Sequence, residues 1–405
     1  MRRPRIAVVG AGMAAARFAE RYGALGGTGT VTLYGAEAQR PYNRVLLADV
    51  LTGRLTPGDI ALPTGAARTS TRAEVVAVAT AAHTLALRGG ATEEWDVLVL
   101  ATGANPVLPP IRGVRRADGT GLARGVHALR SLADCVALAE DAARARRAVV
   151  IGGGVLGVGT SRALAVLGCE VEIVHQGPHL TERHLDADAA HVLGAGLAAL
   201  GVESYTMNRA RAVHCAAGTG RVSAVELASG YRLDCDLVVL ACGVRPRTAL
   251  AHAAGLAVRC GVVVDDTLAT SAPDVYAIGD CAEHAGTVHG LSAPAWDQAD
   301  ALAARLSGTG PDTRYTGSRP LARLTAGPLE YAAFGEVDEA ADPALDVLRL
   351  SDATRGSYKK LLLREERLVG AVLVGDVSTV DALADAYRLG RPVTDEPLHL
   401  LVAGG

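Results

Sequence analysis

The stretch Arg5-Ile6-Ala7-Val8-Val9-Gly10-Ala11-Gly12-Met13-Ala14-Ala15 decides how this chain is read. A short apolar run breaks into glycines and then into a helical pattern, which is the order strand, tight turn, helix. Gly10 permits the turn, Gly12 lets bare backbone approach a pyrophosphate, and Met13 opens a helix whose unpaired N–H groups and positive dipole end favour an anion. Ala15 stands where the fingerprint has its third glycine, and a methyl still fits between helix and strand there. One such match carries little weight. A second copy, Val149-Val150-Ile151-Gly152-Gly153-Gly154-Val155-Leu156-Gly157, follows roughly 140 residues later, again between an apolar strand and a helix. Two cradles imply two nucleotides.

Composition frames this reading. The chain has 405 residues, 49% of them hydrophobic and 20% charged, enough for two or three domains with well-filled cores. No run of about 18 or more apolar residues escapes interruption by charge, Gly or Pro, so no membrane span is expected. Met1-Arg2-Arg3-Pro4-Arg5 is basic in the manner of a signal peptide, but the apolar run behind it stops at Val9, too short for an h-region. A cytoplasmic location is expected. A formal charge of −3 supplies no basic field for nucleic acid, and 3% aromatics supply no platform for stacking bases. The seven cysteines, Cys135, Cys169, Cys215, Cys235, Cys242, Cys260 and Cys281, form no CxxC pair and no zinc-like doublet. They read as small hydrophobes, and no metal site is expected.

Past Met13, the apolar positions Ala16, Ala19 and Leu25 lead to a turn at Gly26, Gly27 and Gly29 and a strand over Thr30 to Tyr34. Glu37 lies about 25 residues after Gly12, near where the fingerprint puts an acid on a ribose hydroxyl. In the proline-stiffened turn Arg40-Pro41-Tyr42-Asn43-Arg44, Arg44 reads as a contact for a cofactor phosphate or ring edge, and Arg40 as surface charge. Strand signals over 73–79 and 85–87 precede Trp95 to Leu100, a central parallel strand running into Ala101-Thr102-Gly103-Ala104, where backbone can approach a ligand. The Pro/Gly-rich crossing from Asn105 to Gly113 reads as a linker, and the arginines from Arg112 to Arg147 as solvated charges.

The second cradle repeats the pattern. Its helix runs from Val155 to Leu167 and stops at Gly168, and the strand Val171 to Val174 delivers His175 where an acid is usual, which leaves NADH and NADPH both open. Asp236 to Gly243 is another strand ending in small residues, matching Val97 to Gly103. Val275 to Asp280 reads as a buried strand that brings Gly279 and Asp280 to a corner. There Asp280 reads first as accepting hydrogen bonds from cofactor hydroxyls, a role compatible with capping the next helix. From Ser318 onward, short strands over 345–350, 359–363 and 368–374 and a helix ending at Gly390 read as a small α+β domain.

The two cradles, with Ala101-Thr102-Gly103 between them, Ala241-Cys242-Gly243-Val244-Arg245-Pro246 after the second and Val275-Tyr276-Ala277-Ile278-Gly279-Asp280 near the end, resemble the FAD- and NAD(P)-binding pyridine nucleotide oxidoreductases. Four further segments are most similar to the flavin domain of assimilatory NAD(P)H nitrite reductase large subunits and to stand-alone ferredoxin-reductase-like relatives. They are Pro41 to Leu47, Thr181 to Asp186, Gly279 to His284 with Gly290 to Trp296, and Tyr358-Lys359-Lys360-Leu361. The resemblance implies an α/β fold of two Rossmann-like domains in the glutathione-reductase manner plus a small C-terminal α+β domain. The implied bounds are 1–112 with 246–317 for FAD, 113–245 for NAD(P), and 318–405 for an interface or cap. It implies that Gly10, Gly12, Glu37, Arg44 and Asp280 bind FAD and that Gly152, Gly154 and Gly157 bind NAD(P)H. Met13, Ala15, Ala101, Thr102, Gly103, Val155, Leu156, Gly243 and Trp296 would complete the two cofactor sites.

By the same resemblance, hydride passes from NAD(P)H to FAD without a dedicated catalytic side chain. Electrons then leave for a separate redox protein: a ferredoxin-like carrier, a nitrite or nitrate reductase, or a monooxygenase. A homodimer stays open. So do a flavoenzyme acting directly on a small molecule, with Trp296 and Tyr331 lining its pocket, and a non-catalytic FAD-binding interaction protein. The chain departs from the family in having Gly159 where Glu is common and Thr325 to Tyr331 where a more regular segment is usual. It also has no cysteine near Asn43, where peroxide and coenzyme A disulfide reductases carry one. The iron–sulfur and sirohaem domains of full nitrite reductases do not follow, so unaided nitrite reduction is not expected.

Overall fold

In the computed structural model, residues 3–116, 118–319, 321–326, 329–390, 392–393 and 401 are described. The chain divides into two compact units, Met1–Leu47 with Leu55–Asn105 and Val244–Pro320, and Ala48–Arg54 with Pro106–Gly243 and Leu321–Gly405.

The first unit is built on a five-stranded sheet in the order Val275–Ala277, Val97–Leu100, Arg5–Val9, Thr30–Tyr34 and Arg68–Ser70, every neighbouring pair parallel. Its central strands are nearly continuous Val, Leu and Ala because both of their faces are covered. Val8, Leu33, Leu98 and Val99 are fully buried. The helix Met13–Ala24 buries Ala15, Phe18, Ala19 and Tyr22 against this core. It is tied to the helix Ser292–Ser307 by a two-point ion pair, Arg17 Nε and Nη2 donating to Asp300 at 2.7 and 2.8 Å. A three-stranded antiparallel sheet over 75–94 completes the unit. The strand Val262–Val264 does not join the main sheet; it pairs in parallel with Ala282–His284.

The second unit repeats the plan. Its parallel sheet runs Val202–Tyr205, Glu170–Val174, Arg147–Ile151, Leu237–Leu240 and Val126–Ala128, with a three-stranded antiparallel sheet over 210–234 beside it. Clustered with it is a five-stranded antiparallel sheet in the order Leu321–Ala326, Leu329–Gly335, Arg367–Val374, Ser357–Arg364 and Asp346–Asp352, with the helix Val380–Leu389 packed on it. The segment from Thr325 to Tyr331, which sequence reading singles out as irregular, lies in an antiparallel hairpin, apart from residues 327 and 328, which are outside the described set. Tyr331-Ala332-Ala333-Phe334 is buried throughout and lacks the alternation of a half-exposed strand.

Candidate functional site

Four strands of the first unit end level with one another. Val9 pairs with both Tyr34 and Leu100, and Leu100 with Ala277. The next residues of each strand therefore emerge along one edge, at the carboxyl end, where parallel sheets bind ligands. They include Gly10, Ala101-Thr102-Gly103 and, one residue on, Gly279-Asp280.

Gly10 has φ +115°, and a Cβ on it would stand 2.1 Å from the Ala101 carbonyl oxygen, so only glycine lets the chain turn this closely against its neighbour. Gly12 is different. It heads the helix Met13–Ala24 in ordinary extended backbone, with nothing within 4 Å of a Cβ position and no side chain capping the helix. The start of this helix, with no side-chain cap, has the dipole's positive end behind it. Ala15, in the third position, is fully buried.

Gly279, with φ +76°, closes on the same helix, since a Cβ there would come within 2.9 Å of the Ala14 methyl. Its N–H donates to Gln298 Oε1 at 2.7 Å, and Gln298 is 2% exposed. Asp280 is half-buried in the single 3-10 turn Gly279–Cys281, whose cap is Ile278, while the next helix is headed by Leu291. The capping role considered for Asp280 is therefore excluded. Thr102 hydroxyl donates to the Arg247 carbonyl at 2.8 Å and Arg247 N–H donates to the Gly103 carbonyl at 2.9 Å, which fixes the small-residue turn.

Glu37 and Arg44 come together through Tyr42. Tyr42 hydroxyl donates to Glu37 Oε2 at 2.6 Å, Arg44 pairs with Oε1, and the Arg44 guanidinium lies 4.9 Å from the centre of the Tyr42 ring. Burial pushes the Glu37 carboxyl up, but Arg44, the Tyr42 hydroxyl and Arg247 outweigh it and hold the group below its ordinary value. Arg44 thus engages a carboxylate, where sequence reading sets it against a phosphate or ring edge. Arg40 is exposed. Trp296 is half-buried on the helix Ser292–Ser307, and Tyr331 is fully buried in the other unit. Neither unit by itself brings the two together.

The second cradle has the same geometry. Ile151 pairs with both Val174 and Leu240, so Gly152, His175 and Ala241-Cys242-Gly243 emerge together. Gly152, with φ +112°, would place a Cβ 2.3 Å from the Ala241 carbonyl oxygen, and Gly157 would place one 1.8 Å from that of Gly152. Gly154 heads the helix Val155–Val166 with open space around it, and Val155 and the 40% exposed Leu156 form its first turn. Gly243 has φ +92° and no close neighbour. Gly159 sits in the buried stretch of the helix, where Leu324 Cδ1 lies 3.4 Å from its Cβ position, in van der Waals reach of any side chain placed there.

None of the seven cysteines, all among the described residues, is in a disulfide; Cys135, Cys169, Cys235 and Cys281 are buried and Cys215 and Cys260 exposed. Among the described residues no cluster of His, Cys, Asp and Glu could hold a metal ion, and no helix is long and apolar enough to cross a membrane. Gln298 escaped the sequence reading, although its spacing from Ala295, Ala299 and Leu302 puts it on that helix's apolar stripe.

Residues 4–299 match the pyridine nucleotide-disulphide oxidoreductase family and residues 320–388 the rubredoxin NAD+ reductase C-terminal domain. The chain belongs to the first of these families and is an NAD(P)H oxidoreductase that uses FAD. It is 32% identical over 97% of its length to the assimilatory nitrate reductase electron transfer subunit of Bacillus subtilis, covering 50% of that protein. It is 34% identical over 93% of its length to a Bacillus subtilis nitrite reductase [NAD(P)H], covering 46%. The chain thus spans about half the length of these relatives. Its fold matches the ferredoxin reductase for the CYP199A2 system of Rhodopseudomonas palustris with a TM-score of 0.84 and 26% identity, covering 98% of this chain and 99% of that one.

The residues present fit the family's cofactors. At each cradle the glycine inside the turn has no room for a side chain, while the glycine heading the helix has open space around it and no side chain caps that helix, as a pyrophosphate requires.

Proposed function

We propose that this chain takes reducing equivalents from NAD(P)H and delivers them through FAD to a separate redox protein. The observation that carries the reading is the pair of matched cradles, one in each unit. FAD supplies a ring system that accepts hydride and can release electrons one at a time. The chain's residues bind and orient. Amides at the start of the helix Met13–Ala24 would hold the FAD pyrophosphate over Gly10 and Gly12, with the ionised Glu37 toward its ribose and Asp280, steadied through Gly279 and Gln298, toward its sugar hydroxyls. Gly152, Gly154 and Gly157 with the turn at Gly243 would hold the nicotinamide nucleotide, in an organisation of 1–112 with 246–317, 113–245, and 318–405.

The names of the relatives support a protein acceptor, a nitrate or nitrite reductase or a ferredoxin-like carrier, and the proposal places the reaction in the cytoplasm. No cysteine pair in CxxC spacing stands ready to relay electrons as a disulfide. The test is anaerobic titration of the flavin-loaded protein with NADH and with NADPH, followed at the flavin absorption band, and then addition of candidate carriers. Bleaching by a nicotinamide and recovery on adding a carrier support the proposal. A flavin band that neither nicotinamide bleaches overturns it, and turnover of a small molecule without any carrier transfers the role to a direct flavoenzyme.

A further inference from the structure

We infer that His175 and Glu182 act together as a specificity-determining pair that selects NADH over NADPH. The inference rests on reading Gly152 to Gly157 as the nicotinamide-nucleotide cradle. In a βαβ dinucleotide site the residue ending the second strand lies by the adenosine ribose, where an acid suits the free 2′-hydroxyl and an arginine suits a 2′-phosphate. His175 holds that position and is neither.

Its ring is fixed by two hydrogen bonds. Gly153 N–H donates to His175 Nδ1 at 3.1 Å. A backbone N–H only donates, so Nδ1 is the unprotonated nitrogen and the ring proton sits on Nε2. Nε2 lies 2.5 Å from Glu182 Oε2, which accepts that proton's hydrogen bond. The imidazole thereby pins a carboxylate beside the strand end, although the acid arrives seven residues after it in sequence.

The intervening loop is shaped around the pair. A Cβ on Gly177 would stand 2.8 Å from His175 Nε2 and 3.0 Å from Glu182 Cδ, so any larger residue would push the two apart. Thr181, next to Glu182, is β-branched, 1% exposed and held at φ +54°, a conformation such residues adopt only under constraint. Thr181 N–H donates to the Gly153 carbonyl at 2.8 Å, so both polar groups of Gly153 are bound by this loop.

The charges around the pair are few. Burial pushes the Glu182 carboxyl up, but its own backbone N–H, His175 and Arg183 bring it below the ordinary value, so it is ionised at neutral pH. Burial and then Arg183 push the His184 imidazole down, toward the neutral form. Asp186 is engaged as the cap of the helix Ala187–Ala199 and by Lys360. Arg183 is exposed and is the one Lys or Arg in the loop. A ribose 2′-hydroxyl can donate to the free lone pairs of Glu182, whereas a 2′-phosphate brings like charge against it.

The test is calorimetric titration of the FAD-loaded protein with ADP-ribose and with its 2′-phosphate, which lack the nicotinamide and so report binding without turnover. ADP-ribose is expected to bind at least about tenfold more tightly than the 2′-phosphate. Glu182→Gln is expected to bring the ratio toward one and Glu182→Arg to reverse it; the side chain is 35% exposed, so both variants keep the core intact. His175→Ala, which frees the carboxylate, is expected to narrow the ratio as well. Equal or tighter binding of the 2′-phosphate by the unaltered protein overturns the inference and gives the position to Arg183, as does a ratio that Glu182→Gln leaves unchanged. Binding of neither analogue overturns the cradle reading itself.

Discussion

Replacing Gly12 with alanine separates cofactor binding from folding. The φ of Gly12 is −95° and no atom lies within 4 Å of the added Cβ, so the apoprotein should change in stability by no more than about 0.5 kcal/mol. The methyl instead fills the space where a pyrophosphate meets the first-turn amides. Charge-assisted hydrogen bonds there contribute about 1.5–3 kcal/mol each. Weakening one or two of them corresponds to about 2–4 kcal/mol, or roughly thirtyfold to a thousandfold in FAD affinity.

Gly10→Ala has the opposite signature. Its φ of +115° and the 2.1 Å approach to the Ala101 carbonyl strain the fold itself. Backbone strain and overpacking each cost about 1–3 kcal/mol, so the melting temperature should fall by roughly 5–20 °C even without FAD. The assay is scanning fluorimetry of the deflavinated proteins beside fluorescence titration with FAD. A Gly12→Ala protein that takes up FAD as tightly as the unaltered chain would refute the placement of the pyrophosphate over this residue.

Two further outcomes follow from the charges and thiols. Lys359, 3% exposed, donates to Asp376 Oδ2 at 2.7 Å, and although burial pushes the Asp376 carboxyl up, Lys359 and Ser378 bring it down to about 2. A carboxyl more acidic folded than unfolded stabilises fully above its unfolded value of about 3.9 and loses that effect as pH falls through the folded one. Asp376→Asn should therefore cost about 1–2 kcal/mol in urea melts at pH 6, discounted because the carboxylate is half-exposed, and progressively less as pH falls toward and through about 2. Of the thiols, Cys215 and Cys260 should react with Ellman's reagent in the native protein, while Cys281 and Cys235, the latter pushed up to about 12 by burial, should react only on unfolding.

Both cradles were legible from sequence because each needs glycine at fixed offsets between a strand and a helix, a local requirement that Gly10, Gly12, Gly152 and Gly154 state openly. Glu37 stands out in the sequence for the same reason, near the distance from the turn at which the fingerprint sets an acid. Its partners do not, because the link from Tyr42 hydroxyl to its carboxylate depends on how a proline turn folds back. In the sequence His175 leaves the coenzyme open, since the carboxylate it holds comes from across a loop whose path, set by a strained Thr181, no periodicity reveals. The hairpin around Thr325 to Tyr331 was missed because a strand buried on both faces shows no alternation.

The touch of Leu324 on Gly159 has an engineering corollary. The helix Val155–Val166 is buried along its length from Gly157 to Leu164, and part of its cover is the strand Leu321–Ala326. Trimming the polypeptide before that strand, a tempting cut for anyone wanting a minimal nucleotide module, would strip a buried helix of part of its shield. Such a fragment should fall out of solution, and useful fusions or cuts belong elsewhere in the chain.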